Sequence, residues 1–414
     1  MPTRVLYIMM YRDSSGSRPI LKVKKVLVLA PNIFGTSGDA INEKQFMKYL
    51  CRERYCVVIT PVPLSKLSKL GDYIVGLYTE TGIKNLALIP LPIVVSYILA
   101  LIEIILITPF IWLIDKLIRF DLIYVRSSPL ALGFLPIKSL SRKTCVKITD
   151  IREEEVIRLK KLVSSIYMFA DRYTLAKASV IGVPSPILLK ELVRRRKTLP
   201  QGKFVLLPPG IDKEKIYKIR RANLKSKGCS NYYAIGFLGT LTWWQGVHII
   251  IKAIAKLKDA LDKPVTLLII GDGPEKGNIQ KLCKNLKVNC QITGFISHEN
   301  ALKKLSMIDI LLVPRIRFLS TESNIPIKVI EAWALGVPVV VTKHKIFEYL
   351  GLKDGEHIVY CEPDPDDVAE KTLMVLNNEV IRRKLSENGS LLASSFFYDE
   401  IVLKLLKALC EETK

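Results

Sequence analysis

Histidine is scarce in this sequence. Four occur in 414 residues, at positions 248, 298, 344 and 357, and none stands at metal-ligand spacing from another. The eight cysteines include no C-x-x-C pair, so neither a zinc centre nor a dithiol redox motif is expected. No secretory signal is expected from the first residues, since Val5 to Met10 is too short a run for a signal peptide's apolar region. The cysteines are therefore expected to be reduced, in a cytosol-facing protein. Acidic residues are also in deficit, 39 against 62 lysines and arginines, a formal charge of +23. With 49% hydrophobic residues, the composition excludes a disordered tail, a collagen-like repeat and a disulfide miniprotein. A surplus of cations suits nucleic acid, an anionic membrane or a phosphorylated substrate, and charge alone does not choose among them.

What is present is a repeating α/β pattern. Continuous apolar runs such as Val26 to Pro31, Cys56 to Val62, Asp121 to Ser127 and Cys145 to Asp150 read as parallel strands buried on both faces, with helical segments between. A second series begins near residue 232 and runs through "YYAIGFLG", "VTLLIIGDG", "CQITG", "DILLVP" and "VPVVVT". Alternation of this kind means βαβ units and doubly wound sheets. The intervening "LLPPGID" (Leu206 to Asp212) has the composition of a hinge. The expected layout is an extension over 1–22, an N-terminal Rossmann-like domain over 23–207 and a C-terminal one over 208–395. A last helix over 396–414 packs back on the first domain.

These motifs, in this order, resemble the family 4 glycosyltransferases, retaining enzymes with the GT-B fold of two Rossmann-like domains facing across a cleft. The resemblance covers residues 25–410. It is carried most strongly by "GFLGTLTWWQGVHIIIKAIAKL", "LLIIGDGPE", "ITGFISHENALKKLSMIDILLVP" and "NIPIKVIEAWALGVPVVVT". It implies a nucleotide-sugar donor as substrate, no cofactor and no metal. By the same likeness Glu331 holds the donor ribose, Lys328 faces the diphosphate, Gly239 and Thr240 offer backbone amides to phosphate, and Gly294 with Phe295 lies beside the base. Lys328 and Glu331 are three apart on one helix, whose start presents free N–H groups and a positive partial charge.

The sequence also departs from the family. Many members carry an arginine and a lysine where this chain has Thr240 and Gln245, which leaves Arg315 and Lys328 as the available cations. The family's E-x7-E pair places Ser323 where the first glutamate belongs, with Glu322 one position off. Either Glu322 serves, or Ser323 and Asn324 bond the donor sugar. "GDGPE" (Gly271 to Glu275) lacks the spacing of a dinucleotide fingerprint and reads as a structural turn. In the first domain Gly35 and Gly38, together with Asp150, Arg152 and Glu153 after a strand's C-terminal end, are acceptor-side candidates. Many members have a histidine near Asp150, and this chain has none there.

Leu86 to Ile114 contains one ionisable side chain, Glu103. Two crossings of a bilayer need about 40 apolar residues, and Pro90, Pro92 and Pro109 break the run. The expectation is an apolar insertion folded as a helical pair that dips into one leaflet, flanked by Lys84, Lys116 and Arg119. The alternative is burial within the protein. The basic runs 194–197 and 215–227 come with no nucleic-acid-binding motif, and so match anionic lipid rather than nucleic acid. The implied function is transfer of a sugar to a lipid-linked acceptor at the cytoplasmic membrane face. The competing reading is a non-catalytic GT-B scaffold partner.

Overall fold

The computed structural model describes residues 23–30, 38–52, 54–61, 71–79, 82–91, 97–151, 161–223, 231–257 and 260–410. Within them the chain divides into two compact units. One ends at Pro208 and resumes with Tyr398, and the other is Pro209–Phe397.

The N-terminal unit is built on an eight-stranded sheet of order β4-β3-β2-β1-β5-β6-β7-β8. β1 is Lys25–Leu29, and it runs parallel to β2 (Tyr55–Pro61) and β5 (Leu122–Arg126). β6 (Thr144–Lys147), β7 (Val180–Val183) and β8 (Lys203–Leu206) extend the parallel set. β5, β6 and β7 are buried along their whole length and β1 from Val26 onward, without alternation, because both faces are covered there. Helix α1 (Gly38–Leu50) and the C-terminal helix Tyr398–Cys410 share one of those covers: Tyr398 Oη donates to Asn42 Oδ1 at 2.8 Å, and Ile401, Leu405 and Leu406 are buried with Phe46 and Leu50.

The apolar segment differs from the expected helical pair. Its first residues form the end of β4 (Gly82–Leu91), which pairs antiparallel with β3 (Gly71–Thr79) as a hairpin at the sheet margin. β3 is rich in Tyr, Ile, Val and Leu, residues that favour strands. Pro90 is tolerated in β4 because a margin strand pairs on one side only. The rest forms a single helix, α2 (Tyr97–Ile118), with Pro109 inside it. Asp115 anchors its end: Lys143 Nζ lies 2.6 Å from Asp115 Oδ1, and Phe120 N–H donates to the same oxygen at 3.1 Å. Ile111 is buried, whereas Trp112, Leu113 and Leu117 are exposed. Among the residues whose side chains are described, no helix is long and apolar enough to cross a membrane.

A second correction concerns the cysteines. Cys51 and Cys56 form a disulfide, with Cα atoms 5.5 Å apart, between the end of α1 and β2. Five residues of separation across a tight turn bring the two together, which spacing rules for metal and C-x-x-C pairs do not register. Cys145, Cys283, Cys290 and Cys361 are free.

The C-terminal unit holds a six-stranded parallel sheet of order β11-β10-β9-β12-β13-β14. Its strands are β9 (Tyr233–Leu238), β10 (Val265–Ile270), β11 (Cys290–Ile292), β12 (Ile310–Val313), β13 (Val339–Thr342) and β14 (Val359–Cys361). The order reverses between β9 and β12, and open α/β sheets bind ligands beyond the strand ends at such a point. Helix α3 (Val247–Leu257) packs into the core on one side, while α4 (His298–Leu305) and α5 (Ile327–Leu335) belong together on the other.

Candidate functional site

β9 delivers the chain to Gly239, whose φ of +138° is open to glycine alone at low cost. A Cβ there would lie 2.7 Å from Lys328 Nζ, so the ammonium packs directly on this backbone. The loop then makes a short 3-10 turn, Trp243–Gln245, and turns into α3 at Gly246. Gln245 Oε1 accepts a hydrogen bond from Lys328 Nζ at 2.8 Å. The same ammonium sits 4.3 Å from the centre of the Phe237 ring, and the Arg315 guanidinium lies 5.0 Å from that of Trp244.

Lys328 and Arg315 are 7% and 8% exposed, and neither forms an ion pair with a carboxylate among the described residues. Burial holds the Lys328 amine well below the usual lysine range; the charge of Arg315 adds to this and that of Glu331 opposes it. Burial likewise brings Arg315 down to about 10, and its Nε has no partner. Two desolvated cations of this kind are costly alone and are relieved by an incoming anion.

Helix α5 carries Lys328 in its first turn and Glu331 one turn on. Pro326 precedes it, and Gly336, with φ of +73°, ends it. Every residue from Lys328 to Leu335 is buried, so Lys328 and Glu331 are not a solvated surface pair. Glu331 Oε1 is 2.6 Å from His298 Nε2 at the start of α4. Gly294, with φ of +67°, opens the turn after β11, followed by Phe295, which is 66% exposed. Thr240 is exposed at the strand-end loop. The unit therefore brings Gly239, Gln245, Arg315, Lys328, Glu331 and His298 to connected positions at the strand ends.

Residues 220–391 match the family model described as glycosyl transferases group 1. That match falls within the C-terminal unit. Outside it the likeness is one of fold. The chain is similar to the sucrose-phosphate synthase of Thermosynechococcus elongatus, with a TM-score of 0.69 at 15% identity over 94% of this chain and 99% of that one. It is similar to the Anabaena protein Alr3699/HepE, solved in complex with UDP and glucose, with a TM-score of 0.61 at 15% identity over 94% of this chain and all of that one. These likenesses give the chain the GT-B fold with two Rossmann-like units. Among curated relatives, N-acetyl-alpha-D-glucosaminyl L-malate synthase of Bacillus anthracis is 29% identical over 144 residues, 34% of this chain and 36% of that protein. The chain thus spans about a third of that relative's length.

Within the C-terminal unit, two expected donor contacts are engaged elsewhere. Glu322 Oε2 accepts from Lys345 N–H at 2.9 Å, and its Oε1 lies 3.4 Å from His344 Nδ1 and 3.8 Å from Arg317 Nε. Ser323 is buried and its hydroxyl donates to Leu319 O at 2.8 Å within its own short helix. Asn324 is half-buried just after it. The "GDGPE" turn is structural in the domain: a Cβ at Gly271 would fall 2.0 Å from Gly239 O, so the bare glycine lets the two strand-end loops meet.

In the N-terminal unit Asp150 lies half-buried beyond β6. Gly38 begins α1, while Gly35, Arg152 and Glu153 lie outside the described residues. Sequence reasoning missed a buried charged cluster beside these positions. Glu43 on α1 accepts from Tyr124 Oη at 2.7 Å and Lys147 Nζ at 3.1 Å, and Arg126 Nε lies 3.5 Å away. Burial pushes the Glu43 carboxyl up, and Lys147 and Arg126 outweigh it, leaving the group below its ordinary range. No spacing rule flags a glutamate on one helix and cations on two later strands. His298 was missed for the same reason, as a lone histidine 33 residues from Glu331 in sequence.

Proposed function

We propose that this chain is a nucleotide-sugar-dependent glycosyltransferase of the family 4, Pro-x-Lys-x-x-Glu type, acting with retention and without a metal. The observation that carries this reading is the pair of buried cations, Lys328 and Arg315, neither of them ion-paired with a carboxylate among the described residues, together with the buried Glu331 one turn from Lys328. In the proposed reaction the bond between the anomeric carbon and the β-phosphate oxygen breaks, and charge collects on the leaving diphosphate. Lys328, Arg315 and the Gly239 backbone stabilise that charge where it develops, in a water-poor setting that strengthens it. The acceptor hydroxyl attacks from the face the diphosphate leaves, and its proton passes to the departing phosphate oxygen. Glu331 holds the ribose hydroxyls, Gly294 and Phe295 border the base, and Thr240 and Asn324 complete the donor contacts. Gly35, Gly38, Asp150, Arg152 and Glu153 are the acceptor-side candidates.

The proposed acceptor is lipid-linked, either a polyprenyl-phosphate-linked glycan or a membrane glycolipid, met at the cytoplasmic face of the cell membrane. Support comes from the exposed Trp112, Leu113 and Leu117 of α2, from Lys116 with its ammonium 5.4 Å from the Trp112 ring, and from the net charge of +23.

Titration calorimetry with nucleoside diphosphates tests the donor site. Wild-type protein is expected to bind, and Glu331→Ala to lose measurable binding; an unchanged affinity in that variant removes the site. Incubation with a nucleotide-sugar panel and a lipid extract, read by mass shift and by the anomeric signal of the product, tests transfer and retention. A second reading, a non-catalytic scaffold, is favoured by the engagement of Glu322 away from any donor. It predicts no nucleotide heat at all.

A further inference from the structure

The pairing of His298 with Glu331 has no counterpart in the motif as read from sequence. Glu331 is 3% exposed and His298 reaches it from a different helix, so the contact is buried on the carboxylate side. An ionised carboxylate has only acceptor sites, so in the pairing with a Glu331 carboxylate the hydrogen is assigned to His298 Nε2. At 2.6 Å this is a short, charge-assisted bond, of the class about twice as strong as a neutral one. His298 is itself held. Ser297 caps the helix by accepting from Asn300 N–H at 3.3 Å, and its carbonyl accepts from Ala301 N–H at 2.9 Å. The imidazole therefore projects from the fixed first turn of α4 towards α5.

From this geometry we infer that His298 is a positioning residue: it donates through Nε2 to one oxygen of Glu331 and turns the remaining lone pairs of that carboxylate towards the donor's 2′- and 3′-hydroxyls. The inference rests on the proposed donor site and adds a residue to it. A carboxylate offers about four acceptor positions, and His298 occupies one, which leaves enough for two ribose hydroxyls. Without the imidazole, Glu331 stays in its place on α5 but loses the bond that selects its rotamer. The loss then falls on ribose recognition and not on the diphosphate, which Lys328 and Arg315 address.

Calorimetry on the full chain separates these terms. UDP, GDP and ADP are compared first, and the tightest binder is then titrated alongside its 2′,3′-dideoxy form. Wild-type protein is expected to prefer the ribonucleotide. His298→Ala should weaken ribonucleotide binding about tenfold, the scale of one charge-assisted bond, and leave the dideoxy form within about twofold. His298→Gln, which can present an amide N–H at the same reach, should recover most of the loss, and Glu331→Gln should erase the preference in either background. Equal weakening of both nucleotides by His298→Ala, or no weakening of either, overturns the role of His298. If wild-type protein binds no nucleoside diphosphate, or Glu331→Gln leaves affinity unchanged, the donor site itself falls and the inference with it.

Discussion

At the residue scale the molecule holds charged groups out of water in two different ways. Glu43 is offset by Lys147 and Arg126 at close range, whereas Lys328 and Arg315 have no ion-pair partner among the described residues and rest on a neutral amide and two aromatic rings, with Glu331 acting on Lys328 only from one helical turn away. The unfolded chain binds a proton at position 328 up to the ordinary lysine range and the folded chain releases it at lower pH. Stability of the free protein therefore rises with pH across that window. A bound diphosphate reverses this by favouring the ammonium. Nucleotide binding is expected to take up a proton, with affinity falling as pH rises through the free-state value; calorimetry in buffers of differing ionisation heat measures the uptake. Lys328→Met should abolish the binding and stabilise the free protein by on the order of 1 kcal/mol, as read from chemical denaturation. Glu43→Gln should do the opposite. It removes the carboxylate that Lys147 and Arg126 share and is expected to cost about 3–5 kcal/mol. Because the Glu43 carboxyl is held below its ordinary range, its contribution is present above the unfolded value and lost as pH falls through the folded one. The gap between wild type and Glu43→Gln should therefore close in acid.

At the element scale, α5 shows how one short helix serves packing and chemistry together. It is covered on every side, so its polar residues face protein, and each of them must be matched by a group from another element: Gln245 from the loop after β9, His298 from α4. The pattern Pro-x-Lys-x-x-Glu announces the helix, but the partners lie 83 and 33 residues away in sequence. α2 illustrates the reverse. Its composition suggested a paired insertion, and tertiary pairing instead drew the first part into a margin strand. Its outer face near the end remains apolar beside Lys116. Replacing Trp112, Leu113 and Leu117 together with serine should reduce co-sedimentation with vesicles of one-third anionic lipid at least severalfold, with nucleotide affinity unchanged. Equal sedimentation of the variant would remove α2 from the proposed membrane contact.

At the scale of the whole molecule, the charge of +23 separates into a small buried part and a large exposed one. Salt is expected to weaken vesicle binding steeply between about 50 and 300 mM, because exposed charges are screened over roughly 10 Å at 0.1 M. The contacts of buried Lys328 and Arg315 should be less sensitive, so nucleotide affinity should fall more gently over the same range. The sequence by itself determined the two parallel-sheet units and the Lys328/Glu331 helix. Continuous apolar runs, glycine turns and a Pro-x-Lys-x-x-Glu spacing are local signals that survive without a partner. Only the tertiary structure decided what meets what. It turned Glu322 towards Lys345 and His344, closed Ser323 on its own helix, joined Cys51 to Cys56, gathered Glu43 with Lys147 and Arg126, and brought His298 to Glu331. Each of these depends on distances set by strand order and helix packing, and a one-dimensional spacing does not encode them.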